Sequence, residues 1–76
     1  MTQDEWKFTF GDNLDSILKD RHMSQKELAK MCDISQGMIS DYVNGFRAPN
    51  IFAVINIAYA LDTDIDELVD VGDTID

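Results

Sequence analysis

The chain has 76 residues, a single cysteine and a formal net charge of -9, which together exclude several classes of protein. A chain this short forms at most one small domain, and one cysteine cannot form an internal disulfide. No apolar run approaches the roughly 20 residues that span a membrane, and the N-terminus lacks the basic and apolar regions of a signal peptide. We therefore expect a cytoplasmic protein without a membrane segment.

The negative charge is concentrated towards the C-terminal end of the sequence. Residues 48–76 contain seven acidic residues and no Lys or Arg, whereas residues 1–47 contain eight acidic and six basic residues. Between Gln25 and Arg47, three basic residues balance three acidic ones. The middle of the chain is therefore neutral, and the excess acidity bears on solubility and association rather than on fold.

Residues 1–10 are predicted to form an N-terminal arm. Trp6, Phe8 and Phe10 alternate with polar residues, and this period of two is typical of a short strand or an extended segment. A large aromatic side chain is unfavourable in water, so we expect Trp6 to be covered by the rest of the molecule or by a second chain.

Two helices are predicted next. Residues 11–22 carry apolar residues at helical spacing, with acidic residues early and basic residues late, as the helix dipole favours. Phe10 would precede this helix and pack on Leu14 as a hydrophobic staple. The second helix begins with the S-x-x-E pattern of a capping box, formed by Ser24 and Glu27.

Turn signals divide the rest of the chain. Asp33 can adopt the left-handed conformation that ends many helices, and it separates the second helix from a third. Ser35 is expected to cap the third helix, and Gly45 to end it. Asn50 is expected to cap a fourth helix.

The fourth predicted helix is nearly all apolar, which is typical of a helix that is central or faces a partner. Phe52 and Tyr59 are expected beside its inward face. A short fifth helix is predicted from Ile65, and residues 71–76 are expected to form a flexible acidic tail. The predicted inward face of the fourth helix consists of Ile51, Val54, Ile55, Ala58 and Leu61.

Two short helices joined by a tight turn have the organisation of a helix-turn-helix. In QKELAKMCDISQGMISDYVN, from Gln25 to Asn44, the residues that must face the core are Leu28, Cys32, Ile34, Ile39 and Tyr42, with Ala29 small at the crossing. This register resembles the lambda-repressor/Cro-type helix-turn-helix family, and NGFRAPN and IAYALDTDIDELV are similar to its later loop and last two helices. Asp33 and Asp62 stand where the family usually has glycine.

The resemblance implies an all-α fold, a compact five-helix lambda-repressor-like DNA-binding domain over residues 11–70 with a short N-terminal arm. It also implies a repressor-like, sequence-specific transcriptional regulator that binds double-stranded DNA as a homodimer, with the third helix in the major groove. By position, the base-contacting residues are Ser35, Gln36, Gly37, Ser40 and Asp41. The phosphate-contacting residues are Gln25, Lys26, Asn44 and Arg47.

Several interpretations stay open at this point. Gly37 either lets the backbone approach a base closely or is a neutral change on a solvent face. Asp41 either accepts a hydrogen bond from cytosine or indicates that the helix no longer meets DNA. Candidate dimer contacts are Trp6, Phe8, Phe52, Tyr59, Val69 and Val71.

A second hypothesis is an acidic protein-interaction module on the same fold, such as an antitoxin, an immunity component or a DNA-mimic decoy, that binds a basic protein partner. Enzymatic function is not expected, because the serines have no plausible histidine partner and no Gly-rich phosphate loop is present. No metal or cofactor is expected either, since His22 stands alone and the stretch from Asp62 to Glu67 lacks the glycine of a calcium loop. Cys32 is predicted to be a small core residue.

Overall fold

The computed structural model describes residues 2–69, which form five α-helices and no strand. The helices are α1 (Gln3–Asp20), α2 (Gln25–Cys32), α3 (Gln36–Val43), α4 (Ile51–Leu61) and α5 (Ile65–Val69). α1 packs against α3 and α5, α2 packs against α3 and α4, and α4 also packs against α5. This confirms the predicted all-α, five-helix fold. Within residues 2–69, no helix is long and apolar enough to cross a bilayer.

The extended conformation expected for residues 1–10 is corrected by the structure, because α1 begins at Gln3 with Thr2 as its cap. Trp6 and Phe10 are four residues apart, so a helix places them on one face, where their ring centroids are 5.7 Å apart. The aromatic residues at every second position, which predicted a strand, fit a helix equally well, because the first and the third of them are four residues apart. Phe10 therefore lies inside α1 instead of preceding it as a staple. The expected tail of residues 71–76 lies outside the described residues.

The predicted caps of α2 and α4 are confirmed. In the capping box, the Glu27 amide donates to Ser24 Oγ at 3.0 Å, and the Ser24 amide donates to Glu27 Oε1 at 3.1 Å. Asn50 caps α4 by accepting from the Ala53 amide at 2.8 Å. These bonds satisfy amide groups that a helix start leaves without an intrahelical partner.

Left-handed residues follow α1, α2, α3 and α4, and the one after α3 is the predicted stop Gly45, with φ 74°. Asp33 has φ 55° after α2 and Asp62 has φ 52° after α4, as expected for aspartates in the places where the resembled family usually has glycine. His22, with φ 54°, follows α1 in the same conformation, and the sequence contained no comparable signal for it.

The core lies where all five helices meet. Leu28, Cys32, Ile39 and Tyr42 are buried as predicted, whereas Ile34 is half-buried. Asn56 joins α4 to the end of α2, since its Nδ2 donates to the Cys32 carbonyl oxygen at 3.0 Å. The buried apolar residues are Phe10, Leu14, Leu18, Leu28, Ala29, Cys32, Ile39, Tyr42, Ala53, Val54, Ile57, Ala58, Leu61 and Leu68.

The predicted inward face of α4 is partly wrong. Val54, Ala58 and Leu61 are buried as expected. Ile51 and Ile55 are exposed, and Ala53 and Ile57 are buried in their place. In a helix that is apolar on most sides, periodicity alone does not single out the buried face.

Gly11 lies in the middle of α1, where α1 crosses the C-terminal end of α3. A Cβ atom at this position would be 2.5 Å from the carbonyl oxygen of Tyr42 and 2.7 Å from that of Val43. These neighbours are backbone atoms of another helix, so they cannot turn aside as a flexible side chain could. The absence of a side chain at Gly11 thus allows the two helices to pack at this distance.

Gly11→Ala is expected to lower the free energy of unfolding by about 1–3 kcal/mol, the usual range for overpacking. The loss should appear although alanine favours a helix by about 1 kcal/mol relative to glycine. Urea unfolding followed by circular dichroism measures it. An unchanged or higher stability would contradict a fixed close packing of α1 on α3.

Candidate nucleic-acid interface

α3 is held to the body of the protein along one side and at its C-terminal end. Ile39 is fully buried, and the Tyr42 ring packs edge-on against Phe10 with centroids 6.1 Å apart. The turn before α3 is closed by the Ile34 amide, which donates to the Ala29 carbonyl oxygen at 3.0 Å. The opposite side of α3 and its first turn are left open to solvent.

The first three predicted base-contacting residues form the exposed start of α3. Ser35 is the cap, and its Oγ accepts from the Met38 amide at 3.1 Å, which leaves the hydroxyl proton available. Gln36 follows and is exposed. A Cβ atom at Gly37 would have no neighbour within 4 Å, so nothing inside the protein requires glycine there.

The other two predicted base-contacting residues lie one turn further along α3 and are half-exposed. Asp41 faces Arg47 of the following loop, with Oδ2 and Nε 3.8 Å apart. Ser40 receives hydrogen bonds from the side chain of Asn44. The structure therefore places all five predicted base-contacting residues at the start and on the open side of α3, but the side chains of Ser35, Ser40 and Asp41 already have partners.

The predicted phosphate-contacting residues are arranged less uniformly. Lys26 is exposed on α2, with Lys30 exposed one turn later, and Gln25 is half-buried. Arg47 is exposed and is held near Asp41. Asn44 is exposed, yet its amide nitrogen is turned towards α3.

The two helix starts differ as anion sites. In α2, the Glu27 carboxylate closes the capping box and places a negative charge in the first turn. The first turn of α3 contains no acidic residue. A carboxylate opposes the helix dipole's attraction for an anion, so the first turn of α3 is electrostatically more open to the negative charge of DNA than the first turn of α2.

The exposed acidic residues of the C-terminal part lie outside the helix-turn-helix unit. Asp62, Asp64, Asp66 and Glu67 are all exposed around the junction of α4 and α5. α5 packs against α1 and α4. The helix-turn-helix unit thus has its own nearly neutral surface.

Burial and charge affect two ionisable groups behind this surface. Burial raises the pKa of the Cys32 thiol, so the thiol stays protonated and unreactive at neutral pH. Burial also raises the pKa of Tyr42, and the positive charge of Arg47 opposes that shift. Both side chains belong to the core, as predicted.

Sequence reasoning missed both partners of the exposed α3 residues. Ser40 and Asn44 are four residues apart on one helix face, which is a spacing that favours such contacts and could have been noticed. Asp41 and Arg47 are brought together by the loop after Gly45, which has φ 74°, and no sequence spacing predicts that pairing.

Five short helices around one core, with a capped and partly exposed third helix, define a helix-turn-helix domain. The family model described as Helix-turn-helix (HTH_3) matches residues 14–68, and the chain belongs to this family. The family is one of DNA-binding regulators rather than enzymes. No curated protein sequence matches the chain.

Solved structures share this fold at low sequence identity. An HTH_3 family transcriptional regulator from Vibrio cholerae superimposes with a TM-score of 0.85 at 22% identity, over 88% of this chain and 38% of the other. The restriction-modification controller protein C.AhdI from Aeromonas hydrophila has a TM-score of 0.79 at 24% identity, over 82% and 94% of the two chains. The clp gene regulator ClgR from C. glutamicum has a TM-score of 0.80 at 21% identity, over 83% and 82%. This chain spans well under half of the Vibrio cholerae protein.

Gly37→Ala is expected to raise the free energy of unfolding by up to about 1 kcal/mol, because alanine favours a helix and meets no neighbour in the protein. Urea unfolding measures the gain, and Gly11→Ala is the matched variant with the opposite expected sign. DNA binding by Gly37→Ala then decides the role of the glycine, since a weaker complex would mean that the backbone approaches a base closely. A loss of stability would contradict the open surroundings of Gly37.

Proposed function

We propose that this chain is a sequence-specific transcriptional regulator that places α3 in the major groove of DNA and binds as a homodimer. The observation that carries the proposal is the exposed start of α3, where Ser35, Gln36 and Gly37 are all exposed while Ile39 and Tyr42 anchor the helix. The first residues of a recognition helix are those that reach base edges. Family membership supports the same function.

The low number of basic residues is compatible with this proposal. Lys26 and Lys30 are exposed on α2, next to α3 in the fold, and Arg47 follows α3 in the loop. The Asp41–Arg47 pair is half-exposed, and pairs of this kind contribute about 0–1 kcal/mol. A phosphate can therefore draw Arg47 away from Asp41 at little cost, and a dimer doubles every such contact.

Gln36→Ala is expected to weaken binding to the preferred duplex by about 1–3 kcal/mol and to relax the preference at one base pair, because the side chain reads a base edge. Lys26→Ala is the matched variant. It should weaken binding to every duplex alike and reduce the slope of log affinity against log salt by about one, as expected for a phosphate contact. Selection from random duplexes at low salt, followed by salt titrations, measures both.

Failure of the selection would contradict the proposal. If the wild type enriches no sequence and shifts no duplex, α3 does not act as a recognition helix. The acidic junction of α4 and α5 would then favour the second candidate, a module that binds a basic protein partner. In that case charge reversal at Asp66 and Glu67 should abolish binding to that partner, while Gln36→Ala should have no effect.

The homodimer is supported by an apolar stripe along α4. Ile51, Phe52, Ile55 and Tyr59 are exposed on one side of this helix, with Phe52 75% and Tyr59 87% exposed, and the exposed side chain of Ile65 extends the stripe. Contiguous exposed apolar residues mark interaction surfaces. A second copy can cover the stripe with the same residues, as a two-fold axis requires.

Charge favours an antiparallel arrangement of the two α4 helices. Asp62 and Asp64 are exposed at the C-terminal end of the stripe, whereas Asn50 and Phe52 at its N-terminal end are uncharged. Antiparallel packing places the acidic end of one copy beside the uncharged end of the other, so the carboxylates do not face one another.

Phe52→Ser is expected to convert the dimer into a monomer, because it removes a large apolar side chain from the α4 stripe. Phe46→Ser is the matched control, since Phe46 is 73% exposed but lies in the loop after α3. Sedimentation equilibrium of both variants against the wild type measures the change. A monomeric wild type, or equal effects of the two substitutions, would contradict a dimer formed through α4.

A further inference from the structure

Asn44 follows the last residue of α3, and its side chain folds back along the helix. Its Nδ2 atom lies 2.9 Å from the carbonyl oxygen of Ser40 and 3.2 Å from the hydroxyl oxygen of the same residue. Sequence position assigns Ser40 to a base edge and Asn44 to a phosphate. The side-chain amide thus connects a residue expected at the backbone of DNA with one expected in the groove.

The chemistry of these two bonds determines which way each group points. A carbonyl oxygen only accepts hydrogen bonds, so Asn44 must turn its nitrogen, not its oxygen, towards Ser40. The amide nitrogen only donates, so Ser40 Oγ is the acceptor in the second bond. The Ser40 proton is therefore directed away from Asn44, and among the described residues it has no protein acceptor.

We propose that Asn44 is a positioning residue that occupies one of the two lone pairs of Ser40 Oγ and so favours the Ser40 hydroxyl as a hydrogen-bond donor towards DNA. A donor matches the major-groove acceptors of guanine, of adenine N7 and of thymine O4, and it does not match the N4 amino group of cytosine. Asn44 then influences the choice of base through Ser40. The inference rests on the proposed DNA binding and names one element of its specificity.

The same geometry disfavours a phosphate contact by Asn44. With both hydrogen bonds of Nδ2 directed at Ser40, the group left facing solvent is Oδ1. Oδ1 is an acceptor, and phosphate oxygens are acceptors too, so the two cannot form a hydrogen bond with each other. The charged side chains of Lys26 and Arg47 are better suited to that task.

Asn44→Ala tests the assignment by its effect on base preference. Ser40→Ala first identifies the base pair that Ser40 reads, as the one where this variant loses its preference. Binding is then measured on four duplexes that differ only at that pair. The wild type should discriminate against cytosine, and Asn44→Ala should reduce the discrimination about fivefold, because both lone pairs of Ser40 Oγ are then free to accept from the cytosine amino group.

Two further variants make the test specific. In the Ser40→Ala background, Asn44→Ala should leave the base preference unchanged, since the group that it positions is gone. Asn44→Asp keeps the shape but has no donor, so the Ser40 proton would turn towards the new carboxylate and the tolerance should shift towards cytosine. Thermal unfolding of each variant separates these effects from loss of the fold.

Two outcomes would overturn the inference while DNA binding stands. One is a loss of affinity by Asn44→Ala that is equal for all four duplexes and persists in the Ser40→Ala background, as a phosphate contact would give. The other is a Ser40→Ala variant with unchanged preference at every base pair. Absence of binding by the wild type to any duplex would instead overturn the proposed function, and this inference with it.

Discussion

The position of α3 depends on one close contact, in which the backbone of Gly11 lies against the carbonyl oxygens of Tyr42 and Val43. Because no side chain separates the two backbones, α1 can clamp the C-terminal end of α3, and Phe10 packs edge-on against the Tyr42 ring just beside that contact. Trp6 extends the same aromatic packing towards the start of α1. With its far end packed in this way, α3 presents its first turn to solvent, and the proposed contacts with DNA depend on that placement.

Strong acidity and the proposed DNA-binding surface are compatible in this chain because the excess acidic residues lie outside residues 25–47. The exposed acidic residues of the C-terminal part surround the junction of α4 and α5, and α5 packs against α1 and α4. Near α3, two of the three acidic side chains have local partners, since Glu27 completes a helix cap and Asp41 pairs with Arg47. The net charge of the chain therefore does not describe the charge near α3, which depends on the partner of each carboxylate there.

Two exposed surfaces of opposite character follow from the same fold. The open side of α3 is polar, whereas the α4 stripe is apolar and ends in carboxylates. α2 packs against both helices, and Asn56 ties α4 to the last residue of α2, Cys32. A dimer formed through α4 would thus set the spacing of two α3 helices through rigid connections, and half-site spacing on DNA is a direct consequence of such geometry.

What the sequence by itself determined are the features that depend on near neighbours along the chain. The Ser24 capping box, the left-handed Asp33 and the register of the helix-turn-helix could all be predicted, because each rests on a few adjacent residues. Only the tertiary structure decided the rest. The alternation of aromatic residues at the start of α1 fits a strand as well as a helix, and the segment was predicted to be extended. α4 is apolar on most sides, so its buried side could not be predicted before the neighbouring helices were known. The pairing of Asp41 with Arg47 likewise follows from how the loop after α3 turns, which no spacing in the sequence predicts.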